Sequence, residues 1–241
     1  MNTISRPHLV GLLAGVFLSA GLVASAFLAS RSYLHNSQSI VVTGSARKDV
    51  LSDLAIWHGS FSVEASTLNE AHQRLKADLE KVKAFLDARV VTNCSISSIG
   101  IQQLRSGTAN DDAQKTAGYR LSRGLEIKSA DFERMMQLDA ASGELVGQGV
   151  EFTSTPLQFL YTKSAEAKIE MLAEATKDAR ARADQIALQG GARIDSLRSA
   201  KMGVFQITPQ YATEISWGGV NDTSAMEKTI TAVISATFSL K

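Results

Sequence analysis

Ser45 and Lys48 stand at the S-x-x-K spacing, at which a lysine one helical turn on activates a serine nucleophile. Neither an S-D-N nor a K-T-G companion occurs, and the tetrapeptide reads as a turn between two strands, so coincidence accounts for the match. The histidines His8, His35, His58 and His72 are scattered, whereas zinc or iron wants three or four converging ligands. Asp111 and Asp112 are neighbours in a polar loop and read as a solvated pair. Cys94 is the single cysteine, so no intramolecular disulfide exists, and its Asn93–Ser97 surroundings read as strand without an activating group. The sequence holds no G-x-S-x-G elbow, Walker loop or G-x-G-x-x-G cradle. Catalytic, metal-binding and cofactor-binding residues are therefore all assigned as none. Tyr211 and Trp217, in a loop with Gly218 and Gly219, are the candidate interface residues; the alternative is that such rings tuck under their own loop.

The feature that governs where these residues work is Leu9 to Ser30, an uncharged, mostly apolar run between Arg6 and Arg31. As a helix rising about 1.5 Å per residue, it spans a hydrocarbon core roughly 30 Å thick. Ala24-Ser25-Ala26 also offers a signal-peptidase site, but the run continues past it through Phe27, Leu28 and Ala29. The expectation is a cytoplasmic tail at 1–8, an anchor at 9–30, a linker at 31–38 and a folded domain at 39–241; the alternative is a cleaved signal that frees a soluble protein. Lys plus Arg number 25 against 24 for Asp plus Glu, and the charges are interspersed. No basic face argues for nucleic acid.

The remaining pattern predicts antiparallel sheet with helices on one face. Ser39 to Ala46 is β-branched and reads as a strand. From Asp53 to Ala65, Ala55, Trp57, Phe61 and Val63 alternate with His58, Ser60, Ser62 and Glu64, which places Trp57 in a core. Thr67 and Glu70 form a capping box ahead of a helix with Leu68, Ala71, Leu75, Leu79, Val82 and Leu86 on its apolar positions. Strands follow through Leu104 and from Tyr119, separated by a polar loop at 105–118. Ser129 is placed as the cap of a second helix, and a short strand from Val150 stops before Pro156. The longest helix, 162–189, is assigned Ile169, Leu172, Ala175, Ala179, Ala183, Ile186 and Ala187 as its inner side. A strand at 194–202, a loop at 208–226 and a last strand close the chain; in the last, Ile230, Ala232, Ile234, Ala236, Phe238 and Leu240 alternate with Thr and Ser. The order ββα, ββα, β, α, ββ is an α+β fold.

Ile40 to Gly44, Asp53 to Trp57, Leu160 to Lys163 and Glu170 to Arg180 together resemble the SIMPL-domain family, and most closely its membrane-anchored bacterial periplasmic branch. The resemblance covers Ser39 to Leu240. It implies an envelope protein of α+β fold that assembles into oligomers, linked in some relatives to stress tolerance, and it brings no catalytic residues. The expected function is non-enzymatic: a single-pass inner-membrane protein with its main domain in the periplasm, acting through homo-oligomeric assembly or a protein partner. The alternatives are an exported hydrolase or a small-ligand binding module whose site is dispersed along the chain.

Overall fold

The computed structural model describes residues 15–27, 38–91, 93–106, 115–212 and 218–241. Residues 15–27 form helix α1, exposed along its length. Among the described residues no helix is long and apolar enough to cross a membrane. Positions 9–14 and 28–30 of the expected anchor lie outside the described residues.

Beyond α1 the elements run β1 (Ser39–Leu51), β2 (Leu54–Ala65), α2 (Leu68–Asp87), β3 (Cys94–Ile96), β4 (Gly100–Ser106), β5 (Lys115–Ser129), α3 (Phe132–Ala141), α4 (Gly143–Gly147), β6 (Glu151–Ser154), β7 (Gln158–Leu160), α5 (Ser164–Gln189), β8 (Ile194–Met202), β9 (Gln206–Pro209) and β10 (Glu227–Leu240). The α+β class with antiparallel sheets is as expected. The chain divides into two compact units: 1–47, 168–205 and 231–241 form the first, and 48–167 with 206–230 the second.

The second unit is organised by β2. Its odd residues Ala55, Trp57, Phe61 and Val63 are buried, because a strand turns successive side chains to opposite faces. β5 runs antiparallel beside it, setting Ile127 opposite Trp57 and Leu121 opposite Val63, while β6 sets Phe152 opposite Phe61 on the other side. In sheet order β3-β5-β2-β6, β4 also pairs with β5 and β7 with β2. The capping box forms: Thr67 Oγ1 accepts from Glu70 N–H at 3.3 Å, and α2 buries Ala71, Leu75, Val82, Phe85 and Leu86. Trp57 is fully buried yet satisfied, since its indole N–H donates to Asp139 Oδ1 of α3 at 2.8 Å. Asp131 rather than Ser129 caps α3, its carboxylate accepting from Arg134 N–H at 3.0 Å while Ser129 Oγ accepts from Asp131 N–H. α2 ends in a Schellman turn, with Val91 N–H on Leu86 O at 3.1 Å and Val90 N–H on Asp87 O at 2.9 Å. Val90 therefore sits at φ 54°, a left-handed position that usually falls to glycine.

In the first unit, β10 is the inner strand of the order β1-β10-β8, so the last strand is paired on both sides. Helix α5 contributes Met171, Ala175, Ala179, Ala183 and Ala187 as a buried stripe spaced strictly by four. This corrects the expected inner side, because Ile169 is 74% and Ile186 55% exposed. The reason is proximity. A Cβ built on Gly44 of β1 would fall on the Ala175 carbonyl oxygen and the Ala179 nitrogen and lie 2.6 Å from Ala179 Cβ. A helix this close to a strand has room only for small residues beneath it, so volume selects the stripe ahead of hydrophobicity.

Candidate functional site: an open strand edge

Every strand at the border of a sheet presents unpaired N–H and C=O groups that must be covered or used. The two borders beside β10 in the first unit are treated differently. On β1, Val42 and Gly44 are buried beneath α5, and Ser45 N–H is taken by the Asp178 carboxylate at 2.8 Å. Asp178 is held in place by Arg182 Nε at 2.8 Å, and Ser45 and Arg182 together keep its carboxyl below the usual carboxylate range. A helix side chain thus closes part of the β1 edge.

Among the described residues β8 has no such cover. From Asp195 to Met202 every residue is exposed, including Leu197 at 48% and Met202 at 62%, and Val204 just beyond it is 40% exposed. The pairing with β10 sets Met202 opposite Ile234 and Ala200 opposite Ala236. Gly203 N–H bonds to Val233 O at 2.8 Å, so by the alternation of an antiparallel ladder the N–H groups of Met202 and Ala200 point away from β10. Register shifts near Phe238 bulge the start of the strand, and Arg198 and Lys201 put charge on it. The result is a strand with donors, acceptors and aliphatic side chains directed outward. It can add one further strand of an extended partner, with backbone bonds giving strength and Leu197 and Met202 giving side-chain contact.

In the second unit the loop between β9 and β10 was the expected interface. Tyr211 lies there at φ 65° and 80% exposed, so its ring is not tucked beneath the loop. Trp217 lies outside the described residues. The end of this loop is fixed by a group the sequence reading missed: Lys228, 1% exposed, donates to the Asp222 carbonyl at 2.7 Å and to Asp222 Oδ1 at 3.0 Å. Burial alone would raise the Asp222 carboxyl, but Ala225 N–H, Lys228 and the Ser224 hydroxyl outweigh it and hold it low. In the sequence Lys228 is an ordinary lysine at the head of a strand that alternates apolar residues with Thr and Ser, and only its burial marks it. Nearby, Asp53 accepts from both Thr162 N–H and its hydroxyl, at 2.8 and 2.9 Å.

The residues weighed for chemistry do not converge. Ser45 and Lys48 lie in the long strand β1 rather than in a turn, where residues three apart face opposite ways. Cys94 is half-buried opposite Ile127, and burial pushes its thiol up. His58 Nε2 meets Glu126 Oε2 at 3.2 Å, and Glu126 Oε1 meets Lys128 at 2.7 Å; Lys128 above all holds the Glu126 carboxyl low, burial opposes it, and His58 adds a lesser lowering. The hydroxyl beside this pair, Thr155 Oγ1, is engaged with the backbone, donating to the His58 carbonyl oxygen at 3.3 Å. A surface depression of about 490 Å³ between α2 and β2 is lined by Glu64, Arg74, Asp78, Lys81 and Glu151 among others. Several of these charges are already matched, Arg74 with Glu70 and Lys81 with Asp78. Asp111 and Asp112 lie outside the described residues, and among the described residues no group of three or more His, Cys, Asp and Glu converges as a metal site.

The family model described as SIMPL, protein of unknown function (DUF541), matches residues 40–238, and the chain belongs to that family. No curated protein matches the chain.

Proposed function

We propose that this SIMPL protein is a non-enzymatic assembly module, held at the periplasmic side of an inner membrane by residues 9–30, whose β8 edge pairs with a second copy of the chain. The observation that carries the reading is the asymmetry of the two strand borders. Asp178 of α5 takes Ser45 N–H and so closes part of the β1 edge, while β8 keeps outward N–H groups beside exposed Leu197 and Met202. Pairing between copies would satisfy those groups, and a second copy of the same edge is a self-complementary partner of the kind two-fold oligomers use. Tyr211, exposed in a conformation costing about 1–3 kcal/mol, supports a second contact through the β9–β10 loop. The apolar length of 9–30 supports the anchor over a cleaved signal, with the short leading tail in the cytoplasm.

The test is oxidative cross-linking of the full chain in a Cys94→Ser background, with single cysteines in turn at Ser196, Arg198, Ala200 and Met202. At least one β8 position should give a covalent dimer at low protein concentration, while Val41→Cys on the closed border should not. Cross-linking at Val41 but at no β8 position would move the interface to β1. Intact-mass analysis of the purified protein tests the anchor; a mature chain beginning near residue 27 would show that the segment is cleaved.

A further inference from the structure

Gln38 belongs to a hydrogen-bonded row that finishes one end of the first unit. Leu240 N–H donates to Gln38 O at 3.0 Å, and Lys241 and Arg193 exchange both backbone bonds at 2.9 Å each. Ala192 N–H reaches back to Ala187 O at 2.8 Å, so the last turn of α5 lies at this same end. That turn is uncovered: Ile186 and Leu188 are 55% and 61% exposed on either side of buried Ala187. Beside them stand exposed Arg193 and Lys241, the latter sharing its charge with Asp195 at 2.9 Å. Gly190 and Gly191, at φ 75° for Gly191, make the intervening turn without side chains that would hold the end away from a surface.

The distance of this end from an anchored bilayer is bounded by chain length. From Ser30 to Gln38 the chain can extend about 28 Å at most, at roughly 3.5 Å per residue. Two large aliphatic side chains and two cations are therefore kept within reach of the headgroups, at an effective concentration that makes even weak contacts count. We propose that this end of the first unit docks on an anionic bilayer, with Ile186 and Leu188 entering the interfacial layer and Arg193 and Lys241 meeting lipid phosphates. The inference rests on the anchor reading.

The experiment uses the full chain in the Cys94→Ser background with an environment-sensitive fluorophore on Leu188→Cys or, as a control, on Ile169→Cys. Ile169 is exposed on the same helix, about 28 Å away along its axis. Each protein is reconstituted into phosphatidylcholine vesicles with or without phosphatidylglycerol, and flotation is checked first. Docking gives a blue shift at 188 that is larger on the anionic vesicles, falls with added salt, is absent at 169, and is lost on adding Ile186→Ser and Arg193→Ser. A chain that floats while its 188 label stays water-like, or that shifts equally at 188 and 169 or on both vesicles, overturns the docking and leaves the anchor standing. A chain that floats with neither vesicle removes the anchor and the docking together.

Discussion

Gly44→Ala is the sharpest perturbation of the arrangement that closes one border and leaves the other open. The added methyl would land well inside 3.0 Å of the Ala175 carbonyl oxygen and the Ala179 nitrogen. Both are backbone atoms that cannot rotate away, so α5 must retreat from β1 by about 1 Å, and overpacking of this kind costs roughly 1–3 kcal/mol. The upper end applies, because the stripe above Gly44 is alanine and has no flexible side chain to yield. Retreat also pulls Asp178 from Ser45 N–H and so uncovers the β1 edge. In a chain of this size 1 kcal/mol moves the melting temperature by about 2–4 °C, so Gly44→Ala is expected to lower it by roughly 6–12 °C. The assay is thermal unfolding by circular dichroism, with Gly143→Ala as control because a methyl there meets nothing within 4 Å. A Gly44→Ala protein that melts with the wild type would refute the close approach and, with it, the explanation for why alanine lines α5.

Lys228→Ala removes one member of a buried pair and is expected to cost about 3–5 kcal/mol by denaturant unfolding, with Lys228→Met at the low end of that range. Because Asp222 is held below its ordinary value, its contribution is present above the unfolded carboxylate pKa and disappears as pH falls through the folded one; Lys228→Met should raise that folded value and move the acid loss to higher pH, read from stability against pH. Val90→Gly should stabilise by about 0.5–1 kcal/mol, seen as a higher denaturation midpoint, since it relieves a branched side chain at φ 54°. Cys94 should react with a maleimide more slowly than a free thiol peptide at neutral pH, because burial raises its pKa, and Cys94→Ser should cost within about 0.5–3 kcal/mol while leaving the oligomer intact.

Local order was legible in the sequence wherever one short stretch decides it. The alternation through Trp57, the Thr67 capping box, and the strand at 194–202 are all formed as read. Very short elements were not legible. β7 is held by pairing with β2, and α4 continues from the turn that ends α3 within a few residues, so neither carries a period of its own. The inner face of α5 was misread because hydrophobicity favours Ile169 and Ile186, while the space above Gly44 admits only small residues. The open edge was hidden for a different reason. Which strand lies at a border depends on the pairing order of distant segments: β10, the last strand of the chain, is enclosed between β1 and β8. Asp222 and Lys228 announce themselves only once a lysine is seen fully buried.

Sedimentation velocity on the full chain in detergent, wild type against Ala200→Pro, reads the assembly directly. Proline at this outward-pointing position removes a donor from the free edge without breaking a bond to β10. The expected result is a wild-type oligomer and a smaller Ala200→Pro species that keeps its secondary structure and melting temperature. A wild-type monomer at every accessible concentration, or an Ala200→Pro protein of unchanged mass, would contradict assembly through β8.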